Sequence, residues 1–134
     1  MKKNEFQVAG INYIKIVNIP LKKSKFGDII DYPPLELEKI IAKEIIKKNF
    51  PIRGIEIKFF RSLLGLSLAE FGEVFNISDV SVLKWERKKT PLELINQIAV
   101  KAFMREKLKI TPQEYSVLSK IKPLPKENIY LSVA

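Results

Sequence analysis

The 134-residue chain contains no cysteine and no histidine. Those two absences together exclude disulfides, thiolate zinc sites, thiol nucleophiles and imidazole acid–base chemistry. Glycine is scarce, at five residues, and none of them forms a nucleotide-binding loop. No charge-free apolar run approaches the ~20 residues needed to cross a bilayer. Lys15 interrupts the Ile11–Val17 stretch that follows the basic start Met1-Lys2-Lys3, which argues against a secretory signal. The expectation is a cytoplasmic protein with no membrane partner, no cofactor, no metal and no enzymatic activity. Paired acids such as Glu36 and Glu38 point to different faces of a helix and read as charges that complement its dipole.

What the sequence has is positive charge. Lys and Arg number 24 against 15 Asp and Glu, a net charge of +9. Such an excess favours a polyanionic partner and says nothing about sequence preference. Hydrophobic residues make up 46% of the chain, enough for a core. The expected fold class is α+β, mainly α, in four segments: a β-rich N-terminal segment (1–32), a connecting helix (33–50), a helical domain (51–109), and a C-terminal helix with an extended tail (110–134). Tyr13, Ile14, Ile16, Val17 and Ile19 read as a strand ending at Pro20, Leu21–Lys25 as a basic turn, and Phe26–Ile30 as a second strand. After Pro33-Pro34, Leu37, Ile40, Ile41 and Ile45 recur at helical spacing up to Asn49, with Lys39, Lys43 and Lys47 on a solvated face.

Between Gly54 and Lys101 the residue types mark out four short helices. The first, Ile55 to Leu64, offers Phe59, Phe60, Leu63 and Leu64 to a core and stops at Gly65. Ser67 and Glu70 form a capping box for the second, whose apolar side is Phe71, Val74 and Phe75. Asn76 suits a left-handed exit, and Ser78 can cap a third helix running from Asp79 to about Lys88. So tight a turn forces a steep crossing, and Gly72 sits where the two axes would approach. On the third helix Val82, Trp85 and Glu86 share the expected core face, while Asp79, Val80, Leu83, Lys84 and Arg87 share the other. Thr90-Pro91 opens the fourth, with Leu92, Ile95, Ile98, Ala99, Ala102 and Phe103 as its apolar positions. Thr111-Pro112-Gln113-Glu114 starts a further helix to about Lys120, and Ile129–Val133 reads as a strand that pairs with the N-terminal strands or across a dimer.

The segments Leu66-Ser67-Leu68, Glu70-Phe71-Gly72, Phe75-Asn76-Ile77-Ser78, Ser81-Val82-Leu83, Trp85-Glu86-Arg87-Lys88-Lys89 and Pro91 fall in one register. Through them the stretch Ile57–Ala102, about a third of the chain, resembles the DNA-binding helix-turn-helix of the lambda-repressor/Cro (XRE) family. The resemblance implies a lambda-repressor-like bundle of four to five helices. It also implies a transcriptional regulator that binds double-stranded DNA as a homodimer, with residues of about 79–88 in the major groove. Asp79, Val80, Leu83 and Lys84 would face base edges: Lys84 donating to guanine, Val80 touching a thymine methyl, Asp79 accepting from cytosine. Ser67, Ser78, Ser81, Arg87, Lys88 and Lys89 would contact phosphates, and Arg61 and Glu86 would form a structural ion pair. One departure is Leu68, where the family commonly has a glutamine.

More broadly, the layout is similar to antitoxin-type regulators of the MqsA kind, whose N-terminal module holds zinc through cysteines. With no cysteine here, that metal site does not carry over. The similarity adds a cognate toxin to the candidate partners. An alternative function is a protein-interaction module on a degenerate helix-turn-helix scaffold, in which Leu68, Val80 and Leu83 form an apolar patch that binds a partner, a toxin or another regulator, for example as a toxin-neutralising antitoxin.

Overall fold

The computed structural model describes residues 4–111 and 123–133. Within them the chain is α+β and predominantly helical. The elements run β1 (Glu5–Phe6), β2 (Ile14–Val17), β3 (Leu21–Ser24), β4 (Gly27–Ile30), α1 (Pro34–Lys47), α2 (Gly54–Leu63), α3 (Leu68–Phe75), α4 (Asp79–Glu86), α5 (Leu94–Leu108) and β5 (Ile129–Ser132). The helix expected from Thr111 to about Lys120 lies outside the described residues. The chain divides into two compact units, Met1–Ile41 with Pro125–Ala134, and Ala42–Leu124.

In the first unit β2 is the middle strand of three. It runs antiparallel to β1, with Phe6 opposite Ile16, and parallel to β5, with Ile14 opposite Ile129 and Val17 opposite Ser132. Ile14, Ile16 and Val17 are buried, so this strand carries the sheet's apolar contacts. The tail strand therefore pairs with an N-terminal strand of its own chain. Leu21–Ser24 is a strand and not the expected basic turn: it pairs with β4 from Leu21↔Ile30 to Ser24↔Gly27. With one apolar residue in four, β3 is set by its backbone partner, which composition does not reveal. The reversal is made by Lys25 and Phe26, after which Gly27 takes φ +105, a region L side chains avoid. In α1, Leu37 and Ile41 are fully buried, and Lys39 Nζ pairs with Glu36 at 3.3 Å. The helix stops at Lys47, just short of the expected Asn49, which turns left-handed at φ 54.

The second unit is built around Phe60, Phe71, Val82 and Met104, none of which is exposed. An aromatic cluster ties three helices together. Phe71 and Phe75 lie 5.1 Å apart, Phe75 and Trp85 5.7 Å, and Phe103 meets Phe71 and Phe75 edge-on at 6.1 and 5.6 Å. Val74, assigned above to the apolar side of its helix, is 44% exposed, so Phe71 and Phe75 carry that side.

Two expectations for α5 are overturned. The helix does not open at Thr90-Pro91 but at Leu94, because the preceding residues are tied elsewhere. Leu92 N–H donates to the Ile52 carbonyl (2.8 Å), and the buried Gln97 amide clamps the same pair, donating to Leu92 O (2.8 Å) and accepting from Ile52 N–H (2.9 Å). The buried face is also different. Gln97, Val100, Lys101, Met104, Arg105 and Leu108 turn inward, whereas Ile95 and Ile98 are exposed, along with Ala99 and Ala102. Lys101 and Arg105 bury their long stems, and Lys101 Nζ reaches Asn49 Oδ1 at 2.7 Å. Burial, helped by the nearby Arg105 charge, pushes the Lys101 amine down to about 8. Among the described residues no helix is long and apolar enough to cross a membrane.

Candidate functional site

The sharpest local geometry lies between α3 and α4. Ser67 caps α3, its Oγ accepting from Glu70 N–H (3.0 Å) while the Glu70 carboxylate accepts from Ser67 N–H (2.9 Å). These bonds, the backbone one foremost, hold the Glu70 carboxyl below its usual range. The helix ends at Asn76, which takes φ 56 and ψ 44. Ser78 then caps α4 by accepting from Ser81 N–H (3.1 Å), so three residues separate the two helices. The turn fits only because position 72 has no side chain. A Cβ on Gly72 would lie 2.5 Å from the Ile77 carbonyl oxygen and 3.3 Å from Val82 Cγ2.

The other end of α4 is fixed against α2. Gly54 N–H donates to the Lys88 carbonyl (2.9 Å), and a Cβ there would come within 2.5 Å of the Trp85 carbonyl oxygen. Sequence reasoning passed over Gly54. The available signal was a glycine opening a helix where no positive φ calls for one. Two turns further along α2, the Arg61 guanidinium grips Glu86 with two nitrogens, Nε on Oε2 and Nη2 on Oε1 (3.1 Å), and donates through Nη1 to the Leu66 carbonyl (3.0 Å). The hydrogen bond to Glu86 raises the Arg61 pKa above its ordinary value. The Glu86 side chain is only 6% exposed, so the pair holds α4 to α2 rather than facing a ligand.

With Val82, Trp85 and Glu86 turned inward, the opposite side of α4 projects outward. Asp79, Val80 and Lys84 are exposed together, and Leu83 is half-buried beside them. Asp79 Oδ1 accepts from Val80 N–H (2.8 Å), so one of its oxygens is engaged within its own helix. At the start of the helix, the Ser78 and Ser81 hydroxyls are hydrogen-bonded to each other (Oγ–Oγ 3.0 Å), so each is partly engaged within its own helix. The helix ends at Glu86, two residues short of the expected Lys88: Arg87 is its cap, and Lys88 and Lys89 are exposed beyond it. Ser67 is exposed on a different helix, at the start of α3, with the Glu70 carboxylate bound to its backbone.

Lys84, Arg87, Lys88 and Lys89 therefore present four cations, none in an ion pair with a described residue; Asp79 is the acid among the outward residues of α4, since Glu86 is spent on Arg61. Such a surface can bind a polyanion through several point contacts. It has a central lysine and a small apolar residue, Val80, available for shape-specific contact. Among the described residues no group of three or more acidic side chains is arranged to hold a metal. The chain matches no family model, no curated protein and no solved structure.

Proposed function

We propose that this chain is a DNA-binding transcriptional regulator of the lambda-repressor/Cro kind, working as a homodimer, with α4 as the segment that enters the major groove. One observation carries the reading: α4 is anchored at both ends by glycine contacts and by the Arg61–Glu86 pair, while its outward face stays exposed. A helix held by its back, with Lys84 and Val80 projecting, suits a groove ~12 Å wide. Lys84 donates to guanine O6 and N7. Asp79, with one oxygen still open, accepts from cytosine N4, and Val80 packs on a thymine methyl. Arg87, Lys88 and Lys89 sit where phosphates supply affinity without sequence information. Two copies would read half-sites ~34 Å apart.

The alternative, an apolar docking patch for a toxin, is weaker. Of Leu68, Val80 and Leu83 only Val80 is fully exposed, and the two leucines are half-buried, so the patch offers less apolar surface than three exposed side chains would.

The test is selection of duplexes from a random pool at stated salt, followed by two variants on the selected site. Lys84→Ala lowers affinity for that site more than for random duplex. Lys88→Ala lowers both alike and reduces the salt slope by about one. Equal losses from the two changes would refute the division into reading and anchoring residues. No shift at micromolar protein and low salt would refute DNA binding and favour the interaction module.

A further inference from the structure

Helix α5 leaves an apolar stripe uncovered on the side opposite its buried residues. Ile95 is 73% exposed and Ile98 42%, and Ala99 and Ala102 are exposed with them. Ile95, Ala99, Ala102 and Glu106 follow one another at helical spacing and share one face, with Ile98 on its flank. The stripe carries no cation, although the chain as a whole has a net charge of +9, so a polyanion finds nothing to grip there. Lys107, next in sequence, lies over the Phe103 ring, 5.6 Å from its centroid. The two ends of the stripe are electrically opposite. At its start no side chain caps α5 and the first turn holds no acid, so the amides there keep their partial positive charge. The N-cap residue, Glu93, falls two positions before Ile95 and so on the other side of the helix. At its end Glu106 is exposed and forms no ion pair with a described residue.

We infer that this stripe is where two copies of the chain associate, α5 against α5, antiparallel about a two-fold axis that passes between Ala99 and Ala102. The inference rests on the homodimer of the reading above and names the surface on which its copies meet. Turned about that axis, the stripe is its own complement, as an isologous contact requires. Ala99 of each copy meets Ala102 of the other, and side chains this small let the two axes approach closely. Glu106 of each copy comes beside Ile95 of the other, at the first turn whose amides have no acid of their own. The charge complement is thus made twice, and the two helix dipoles run in opposite directions. A membrane surface fits less well, because a short apolar stripe that ends in a carboxylate and lacks flanking cations offers an anionic leaflet little.

The test is sedimentation equilibrium of the full chain without DNA, which reads association independently of duplex binding. One helix face is smaller than the ~800 Å² per partner of a standard interface, so the mass should climb from 15.5 kDa towards twice that value across the micromolar range. Ile95→Asp sets an acid against Glu106 of the other copy and should weaken association about tenfold or more. Glu106→Lys brings a cation to the other copy's helix start and should weaken it about threefold. Combining the two changes restores opposite charges across the axis and should recover most of the loss, a rescue that only contact between copies gives. Both positions are exposed, so in dilute, monomeric solution the variants should unfold at the same urea concentration as the parent. A chain that keeps its monomer mass to millimolar concentration overturns the interface, as does a dimer that both single variants leave intact or a double variant that recovers nothing. Ile95→Asp that unfolds early in dilute solution also overturns it, by showing the stripe covered within one chain. Dimerisation as described, with no duplex bound, leaves the interface standing and refutes the DNA-binding reading. Selective duplex binding by a chain that stays monomeric does the reverse.

Discussion

The α3–α4 pair and α5 sit in the same compact unit, yet they follow opposite rules. In α3 and α4, residue polarity and burial largely agree: Phe71 and Val82 are inside, Glu70 and Lys84 outside, and the one acid with a buried side chain, Glu86, has a dedicated cation, with Val74 and Val80 the apolar exceptions. In α5 they disagree. Ile95 is 73% exposed while Gln97, Lys101 and Arg105 are buried. The difference shows that a side chain's place is decided by what it can bond to inside. Gln97 satisfies both a donor and an acceptor across the Ile52–Leu92 contact, and Lys101 finds Asn49. An isoleucine on the opposite face of the same helix has no such tie to pull it in.

The largest expected effect breaks the orderly side of this contrast. Arg61→Met leaves the Glu86 carboxylate buried without its cation and should cost about 3 kcal/mol in urea unfolding, the low end of the range because Arg61 keeps 19% exposure. Adding Glu86→Leu should recover most of that loss. A double variant no more stable than the single one would show that the pair's geometry, and not the stranded charge, is what matters.

A smaller effect tests the disorderly side through pH. The folded-state pKa of Lys101, about 8, is below its ordinary value of 10.5, so the fold disfavours the protonated amine. That penalty is fully present below pH 8 and is relieved as pH rises towards 10.5, because the unfolded chain then holds the proton that the folded one has lost. Stability measured relative to Lys101→Met should therefore climb across this window. A flat difference would mean that the amine is solvated. The smallest effect is expected at Ile95→Lys, which should change stability by no more than about 0.5 kcal/mol, as exposed positions generally do. A large loss would place that side chain under cover.

The same contrast explains what could be read from the sequence. Capping by Ser67 and Glu70, the left-handed exit at Asn76 and the close approach at Gly72 are local, and residue type alone announces them. The face that α5 buries is not local. Its sequence supports two stripes, and the choice depends on Asn49 and Ile52, which lie 52 and 45 positions from their partners Lys101 and Gln97. Strand β3 is illegible for a similar reason, since Leu21-Lys22-Lys23-Ser24 becomes a strand only by pairing with Gly27–Ile30. Gly54 looked unremarkable because its constraint comes from the backbone of α4, on a different helix. For the candidate site, the outward residues followed from helical spacing once the turn at Asn76 was placed. The partial engagement of Asp79 and Ser78 by their own helix did not.

The parallel pairing of β2 with β5 has a consequence for synthesis. Ile14–Val17 leaves the ribosome well before the strand that completes its sheet, Ile129–Ser132, and the Asn18–Ser132 hydrogen bond spans 114 positions. During translation the helical unit can fold while β2 still waits with one edge unsatisfied, which leaves that edge open to chaperones, or to a neighbouring chain's strand, until β5 has been made.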